Sequence, residues 1–229
     1  MSDTVRTFRD RREAGRVLAP DLARCLDRNG PDELQVLGLA RGGVPVGWEV
    51  AAFLRAPLDV CLVRKLGVPQ WPELAMGAVA TGGGVVYNDD LIRSLGVSDD
   101  EIRDAVARET TELGRREQTY RVDRGALVLA GRTVILVDDG IATGASMTAA
   151  ARSVRQAGAT RIIVGVPVGP ASVCRKLLED ADDVVCSTIP ADFRAVGQFF
   201  EDFHQITDDE VRTLLATPTA GRGSVIENR

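Results

Sequence analysis

Residues 134–146 constrain this chain more than any other stretch: four apolar residues, two adjacent aspartates, a loop of small residues and the opening of a helix. The strand read there, Thr133–Val137, is rich in β-branched residues and apolar at every position after the first, not at alternate ones. Such a strand must be covered on both faces, as in a parallel sheet between two layers of helices. Beyond it, Ala145–Gln156 reads as a helix with Gly158 as its stop signal. In open sheets of this kind ligands bind past the carboxyl ends of the strands, where Asp138 and Asp139 stand.

The rest of the chain supplies the partners of that strand. Residues 35–40 (QVLGLA), 58–64 (LDVCLVR), 161–166 (RIIVGV) and 183–187 (DVVCS) read as further short strands, and residues 44–54 and 171–178 as helices between them. Pro45 falls in the first turn of its helix, where its missing N–H is no loss. The expected fold class is therefore α/β, a central parallel sheet with helices on both faces. Residues 10–27 are expected to be helical with a break at Pro20. Residues 66–123 interrupt the alternation with a Pro/Gly/Trp stretch, a hairpin around Gly82, Gly83 and Gly84, and a long helix. That helix opens on Ser98 and Glu101 at capping-box spacing and carries an apolar stripe of Ile102, Val106 and Leu113. Its many charges suit a solvated face, or a surface for a partner in a larger assembly.

Three places carry chemistry. After Asp138 and Asp139, the loop Gly140, Ile141, Ala142, Thr143, Gly144, Ala145, Ser146 offers backbone N–H groups and two hydroxyls at a helix N-terminus. Phosphate binds well there, because orphan donors and the helix dipole act together. An acidic pair beside it suits the cis-diol of a ribose. Ala40, Arg41, Gly42 and Gly43 form a second strand-to-helix turn, with glycines that let a ligand approach the backbone. Arg64 and Lys65, at the end of the next strand, supply positive charge. No G-x-x-x-x-G-K-[ST] is present to make the acidic strand end part of a nucleoside triphosphatase.

Taken together, residues 134–146 with the Arg41-Gly42-Gly43 turn resemble the type I phosphoribosyltransferase family, whose signature is an apolar strand, an acidic pair and a Thr-Gly loop. Two positions depart from it: Gly140 stands where an aliphatic residue is common and Ala145 where glycine is frequent. The resemblance implies the fold of that family in one domain over residues 1–216, with a flexible closing insertion at about 66–123. It also implies a small hood at about 189–203, with the N-terminal helix as a candidate part of it, and residues 217–229 read as a disordered tail. It implies phosphoribosyl pyrophosphate as substrate and Mg²⁺ as cofactor, with Asp138 and Asp139 as catalytic residues that reach the metal through water. The Ala40–Gly43 turn, carrying a cis peptide at Ala40–Arg41, would take the pyrophosphate with Arg64 and Lys65. The hood run from Ile189-Pro190 to Val196-Gly197 is similar to that of purine-salvage members, so Phe193 or Phe199 would stack on a nucleobase-like acceptor. A homodimer is the family habit. The alternative activity is a non-catalytic regulatory protein that binds the same sugar.

Composition removes other classes. A net charge of −5 argues against a nucleic-acid partner. The single histidine, His204, forbids a two-histidine metal site and reads as structural. The four cysteines form no C-x-x-C, which suits reduced thiols. With no apolar run near 18 residues and a polar N-terminus, the expectation is a cytoplasmic protein without a membrane partner.

Overall fold

The computed structural model describes residues 6–26, 33–121, 125 and 127–219. Its centre is a five-stranded, all-parallel sheet in the order β2-β1-β6-β7-β8. These strands are β1 (Leu34–Leu39), β2 (Leu58–Cys61), β6 (Thr133–Val137), β7 (Arg161–Val168) and β8 (Asp183–Thr188). Alternate side chains feed two cores. Val36, Ile135, Val137 and Ile163 pack on one face beneath helices α1 (Arg11–Cys25) and α2 (Gly43–Leu54). Leu37, Val134, Leu136 and Val164 pack on the other beneath α5 (Ala145–Gln156) and α6 (Ala171–Leu177). Burial on both faces is why the strands carry no polar alternation.

From β1 the chain passes through α2 to β2 on one side; from β6 it passes through α5 and β7 to β8 on the other. The winding therefore reverses between β1 and β6, which are paired neighbours as far as Gly38 opposite Val137. A crevice opens beyond strand ends at such a point. The loops after these two strands, 40–42 and 138–144, border it.

Several sequence expectations need correction. The strand read as 58–64 divides at Leu62 into β2 and β3 (Val63–Val68), and β3 leaves the main sheet. Charged Arg64 and Lys65 do not suit the closed apolar interior. The departure is held by reciprocal bonds, Leu62 N–H to Thr81 Oγ1 and Thr81 N–H to the Leu62 carbonyl, each 2.9 Å. The Pro/Gly/Trp stretch opens strand β4 (Trp71–Ala80). It forms a small antiparallel sheet with β3 and β5 (Val85–Tyr87), with the turn at Gly82 and Gly83 in positive φ. Helix α1 is unbroken at Pro20. A proline inside a helix costs about 3 kcal/mol, but Leu18 and Leu22 on either side of it are fully buried, and burying each contributes about 1.5–3 kcal/mol. Residues 27, 122–123 and 220–229, on which parts of the expected first helix, insertion and tail fall, lie outside the described residues.

Two helices complete the insertion, α3 (Asp89–Leu95) and α4 (Asp99–Tyr120). The capping box at Ser98 and Glu101 forms as read, and the buried stripe of α4 is Ala105, Leu113 and Tyr120, with Ile102 and Val106 at its margin. Many of its charges pair along the helix, as in Arg115 and Arg116 with Glu112. After β8 come a short 3₁₀ turn at Val196–Phe199 and the last helix, α7 (Asp208–Ala216). All four cysteines are free thiols, and among the described residues no helix is long and apolar enough to cross a membrane.

Candidate active site

Helices α1, α3, α4 and α7 each begin with a side chain that accepts a first-turn N–H: Asp10, Asn88, Ser98 and Thr207. The two twelve-residue helices α2 and α5 have no bond from an N-cap side chain, their N-caps being Gly42 and Gly144. Neither N-cap offers a side chain to the first-turn donors, which leaves such groups for an anion.

At the β6 end, Asp138 and Asp139 stand side by side. Oδ1 of Asp138 accepts the N–H of Asp139 at 2.8 Å. Burial, and then the neighbouring Asp139 carboxylate, hold the Asp138 carboxyl well above its usual range. Asp139 is also raised by burial, but less freely, because Nε of Arg11 donates to its Oδ2 at 2.7 Å and favours the charged form. The loop after β1 is pressed against both. A Cβ on Gly42 would overlap the Asp139 carboxylate, and one on Gly43 would overlap the Val137 carbonyl and stand 2.8 Å from the Asp138 Cα. Only glycine fits there. The Ala40–Arg41 peptide is cis, as expected.

Following the aspartates, Ala142, Thr143, Ala145 and Ser146 are exposed, with Gly144 at φ 76° turning the chain into α5. The Thr143 hydroxyl accepts the Ala145 N–H at 3.4 Å. Residues 143–146 line a cavity of about 640 Å³ with Lys65, Tyr87, Arg93, Arg152 and Lys176. Ile141 does not belong to this cradle: its side chain is 4% exposed and its N–H donates to the Val168 carbonyl. Gly140 is buried as well, and a Cβ there would stand 2.6 Å from Val196 of the hood and 3.0 Å from Val168. That contact explains the departure from an aliphatic residue.

Arg64 and Lys65 do not act as the pair their adjacency suggests. Successive residues of β3 point to opposite sides. Arg64 faces a separate polar cavity of about 370 Å³, shared with Arg41, Arg115, Arg116, Tyr120 and Asp208. Its guanidinium there forms two bonds to Glu109, at 2.7 and 3.0 Å. The Tyr120 hydroxyl donates to Asp208 at 2.6 Å, and Arg41 lies 3.5 Å from the same oxygen. Burial and Asp208 together push the Tyr120 phenol up to about 12.

Of the two hood aromatics, Phe199 is 2% exposed and belongs to a small core with Phe8 and Phe200, so it has no face for a base. Phe193 is half-buried and stacks on Phe199 at 5.7 Å. His204 bridges Asp202 and Glu210, which raise its pKa.

Arg11 escaped the sequence reading. Its partner lies 128 residues away, and the available signal was a basic residue in the first turn of a helix, where the macrodipole disfavours it. The acidic pair offers hard oxygen donors of the kind Mg²⁺ takes. Among the described residues, however, no cluster of three or more His, Cys, Asp or Glu side chains could enclose a metal. The donor set fits an ion that keeps most of its waters and is held by two carboxylates and a phosphorylated ligand.

A doubly wound sheet with an acidic pair and two uncapped helix starts at its switch point is the architecture of a phosphoribosyl transferase domain. The sequence model of the family described as "Phosphoribosyl transferase domain" matches residues 17–204, and the chain belongs to that family. It is 47% identical over 212 residues to a protein of Mycobacterium tuberculosis, known from two strains under a provisional name as a phosphoribosyl transferase. That match takes in 92% of this chain and 47% of the relative, so the chain spans about half the length of the curated proteins it matches. The crystal structure of TT1426 from Thermus thermophilus superposes with a TM-score of 0.79 at 44% identity, covering 91% of this chain and 97% of that one.

Proposed function

We propose that this chain is a phosphoribosyltransferase that uses phosphoribosyl pyrophosphate with Mg²⁺ and transfers ribose 5-phosphate to a ring nitrogen of a nucleobase. The C1–O bond to pyrophosphate breaks, a C1–N bond forms, and the acceptor loses its proton to solvent. One observation carries the reading: the Gly42-Gly43 turn is pressed against the acidic pair at the end of β6, and the chain leads from that pair directly into the uncapped start of α5.

In this reading the N–H groups and hydroxyls of residues 142–146 hold the 5-phosphate. Asp138 and Asp139 take the 2- and 3-hydroxyls and stabilise the positive charge that develops on the sugar. The backbone from Ala40 to Gly43 and the Arg41 side chain receive the pyrophosphate. Mg²⁺, when bound, supplies positive charge to the leaving group. Catalysis is then mostly positioning and electrostatics. Phe193 is the aromatic assigned to the acceptor. Lys65, on the phosphate side of β3, and Arg64, on the pyrophosphate side, serve different ends of the substrate.

Calorimetric titration with phosphoribosyl pyrophosphate and Mg²⁺ tests this directly. Saturable binding that is lost in Asp138→Asn/Asp139→Asn supports it; no binding, or binding unchanged in the double variant, refutes it. Release of pyrophosphate in the presence of a panel of nucleobases separates a transferase from a protein that only senses the sugar.

A further inference from the structure

Arg11 is an enclosed charge at the site that the family resemblance does not explain. It lies upstream of the matched residues 17–204. It is 7% exposed, and a charged side chain is rarely so enclosed unless it is paired. At the first position of α1 it opposes the helix macrodipole, whose preference is met by Asp10 and Glu13. The apolar packing of α1 rests on Ala14, Leu18, Ala19 and Leu22, not on Arg11.

What Arg11 does have is a set of three contacts that hold it against Asp139. Nε donates to Asp139 Oδ2 at 2.7 Å, Nη1 donates to the His204 carbonyl at 2.8 Å, and the guanidinium lies 4.0 Å from the centre of the Phe203 ring. The ring is held in turn by Phe200 at 5.1 Å. The segment carrying Arg11 is tied down by main-chain bonds: Phe8 N–H to the Phe199 carbonyl, Glu201 N–H to that of Phe8, and Asp202 N–H to that of Arg9. The guanidinium is thus fixed from three sides against one carboxylate oxygen. Other charges nearby are engaged elsewhere, Asp202 with His204 and Arg41 with Asp208.

We propose that Arg11 is a built-in counter-ion that occupies the Asp139 carboxylate and keeps a free divalent cation off the acidic pair. The metal then enters only together with the phosphorylated sugar. Two adjacent carboxylates without such a cation would attract a divalent ion directly, since both are hard oxygen donors. With Arg11 in place, the ion must displace a fixed guanidinium from Oδ2 or share the oxygen with it. Arg11 is a positioning residue: it acts on the ligand through Asp139. The inference rests on reading the crevice as the sugar-diphosphate site.

Mn²⁺ binding to the ligand-free protein, followed by the electron paramagnetic resonance signal of the free ion, tests it. Arg11→Gln is expected to bind Mn²⁺ at least about tenfold more tightly than the wild type, the scale of effect of removing an adjacent charge from a partly enclosed site. The gain should vanish in Arg11→Gln/Asp139→Asn. Arg11→Lys, which keeps the charge, should stay close to the wild type. Equal affinity in wild type and Arg11→Gln overturns the proposal. So does a gain that survives Asp139→Asn, or one shared equally by Arg11→Lys, because a loosened structure would then be the cause. Should Arg11→Gln fail to fold, Phe203→Leu removes only the ring beneath the guanidinium and should raise Mn²⁺ affinity about twofold or more; no change there overturns it. Because no sugar is present, this result stands apart from the phosphoribosyl pyrophosphate titration. Failure of that titration sinks the reading of the site whatever Mn²⁺ does.

Discussion

Replacing Asp138 by asparagine should make the protein more stable while removing its ligand. In the folded protein the carboxyl is held well above the ordinary value of 3.8, first by burial and then by Asp139. Between 3.8 and the folded midpoint the native state keeps a proton that the unfolded chain has lost. The wild type's stability is therefore whole below 3.8 and falls as pH rises through that window. The loss approaches about 1.4 kcal/mol per pH unit for one proton, and in a chain of this size each kcal/mol moves the melting midpoint by about 2–4 °C. Asparagine has the same shape, and its carbonyl can still accept the Asp139 N–H, but it carries no charge to desolvate. The difference in melting temperature, variant minus wild type, should thus grow by about 3–6 °C per pH unit above pH 4 and then level off. Differential scanning fluorimetry from pH 4 to 8 gives the curve, and calorimetry should find phosphoribosyl pyrophosphate binding lost in the same variant. A flat or falling difference would refute the account of a strained acidic pair.

Two further outcomes follow from contacts elsewhere in the crevice. Gly140→Val, which installs the family's usual aliphatic residue, drives a Cβ to 2.6 Å from Val196; it should cost about 1–3 kcal/mol in thermal unfolding, and Val196→Ala should recover part of that loss. His204 is the only histidine, so its ring protons can be followed by NMR without assignment. Its midpoint should lie above 6.5, and the bridge to Asp202 and Glu210 should hold fully below 6.5 and weaken as pH rises through that midpoint; a midpoint at or below 6.5 contradicts the bridge.

The central sheet was readable because burial on both faces leaves an unmistakable trace: Val134 to Val137 and Ile162 to Val164 have no polar residue to place outside. The turn from β6 into α5 was readable because glycine and hydroxyl residues cluster at a strand-to-helix junction, and the structure places α5 from Ala145 after Gly144. Local signals failed where geometry decided. Arg64 and Lys65 are neighbours in sequence, but a β-strand sends neighbours to opposite sides. Phe193 and Phe199 look alike in sequence, and only packing against Phe8 distinguishes the core ring from the half-buried one. Pro20 should break a helix by local rules, yet the leucines around it are fully buried. Arg11 had no local signal strong enough to attach it to an aspartate 128 residues away.

The parallel bridge between Phe8 and Phe200 has a practical side. Protease trimming between Phe8 and the start of the first helix would leave every strand of the main sheet, and so its circular dichroism, almost untouched. The trimmed material would nonetheless have lost the main-chain bonds from Phe8 that tie the segment before Arg11 to residues 199–201. Mass spectrometry of the N-terminus therefore belongs ahead of any binding assay, since a clipped preparation would pass as folded while holding Arg11 less firmly against Asp139.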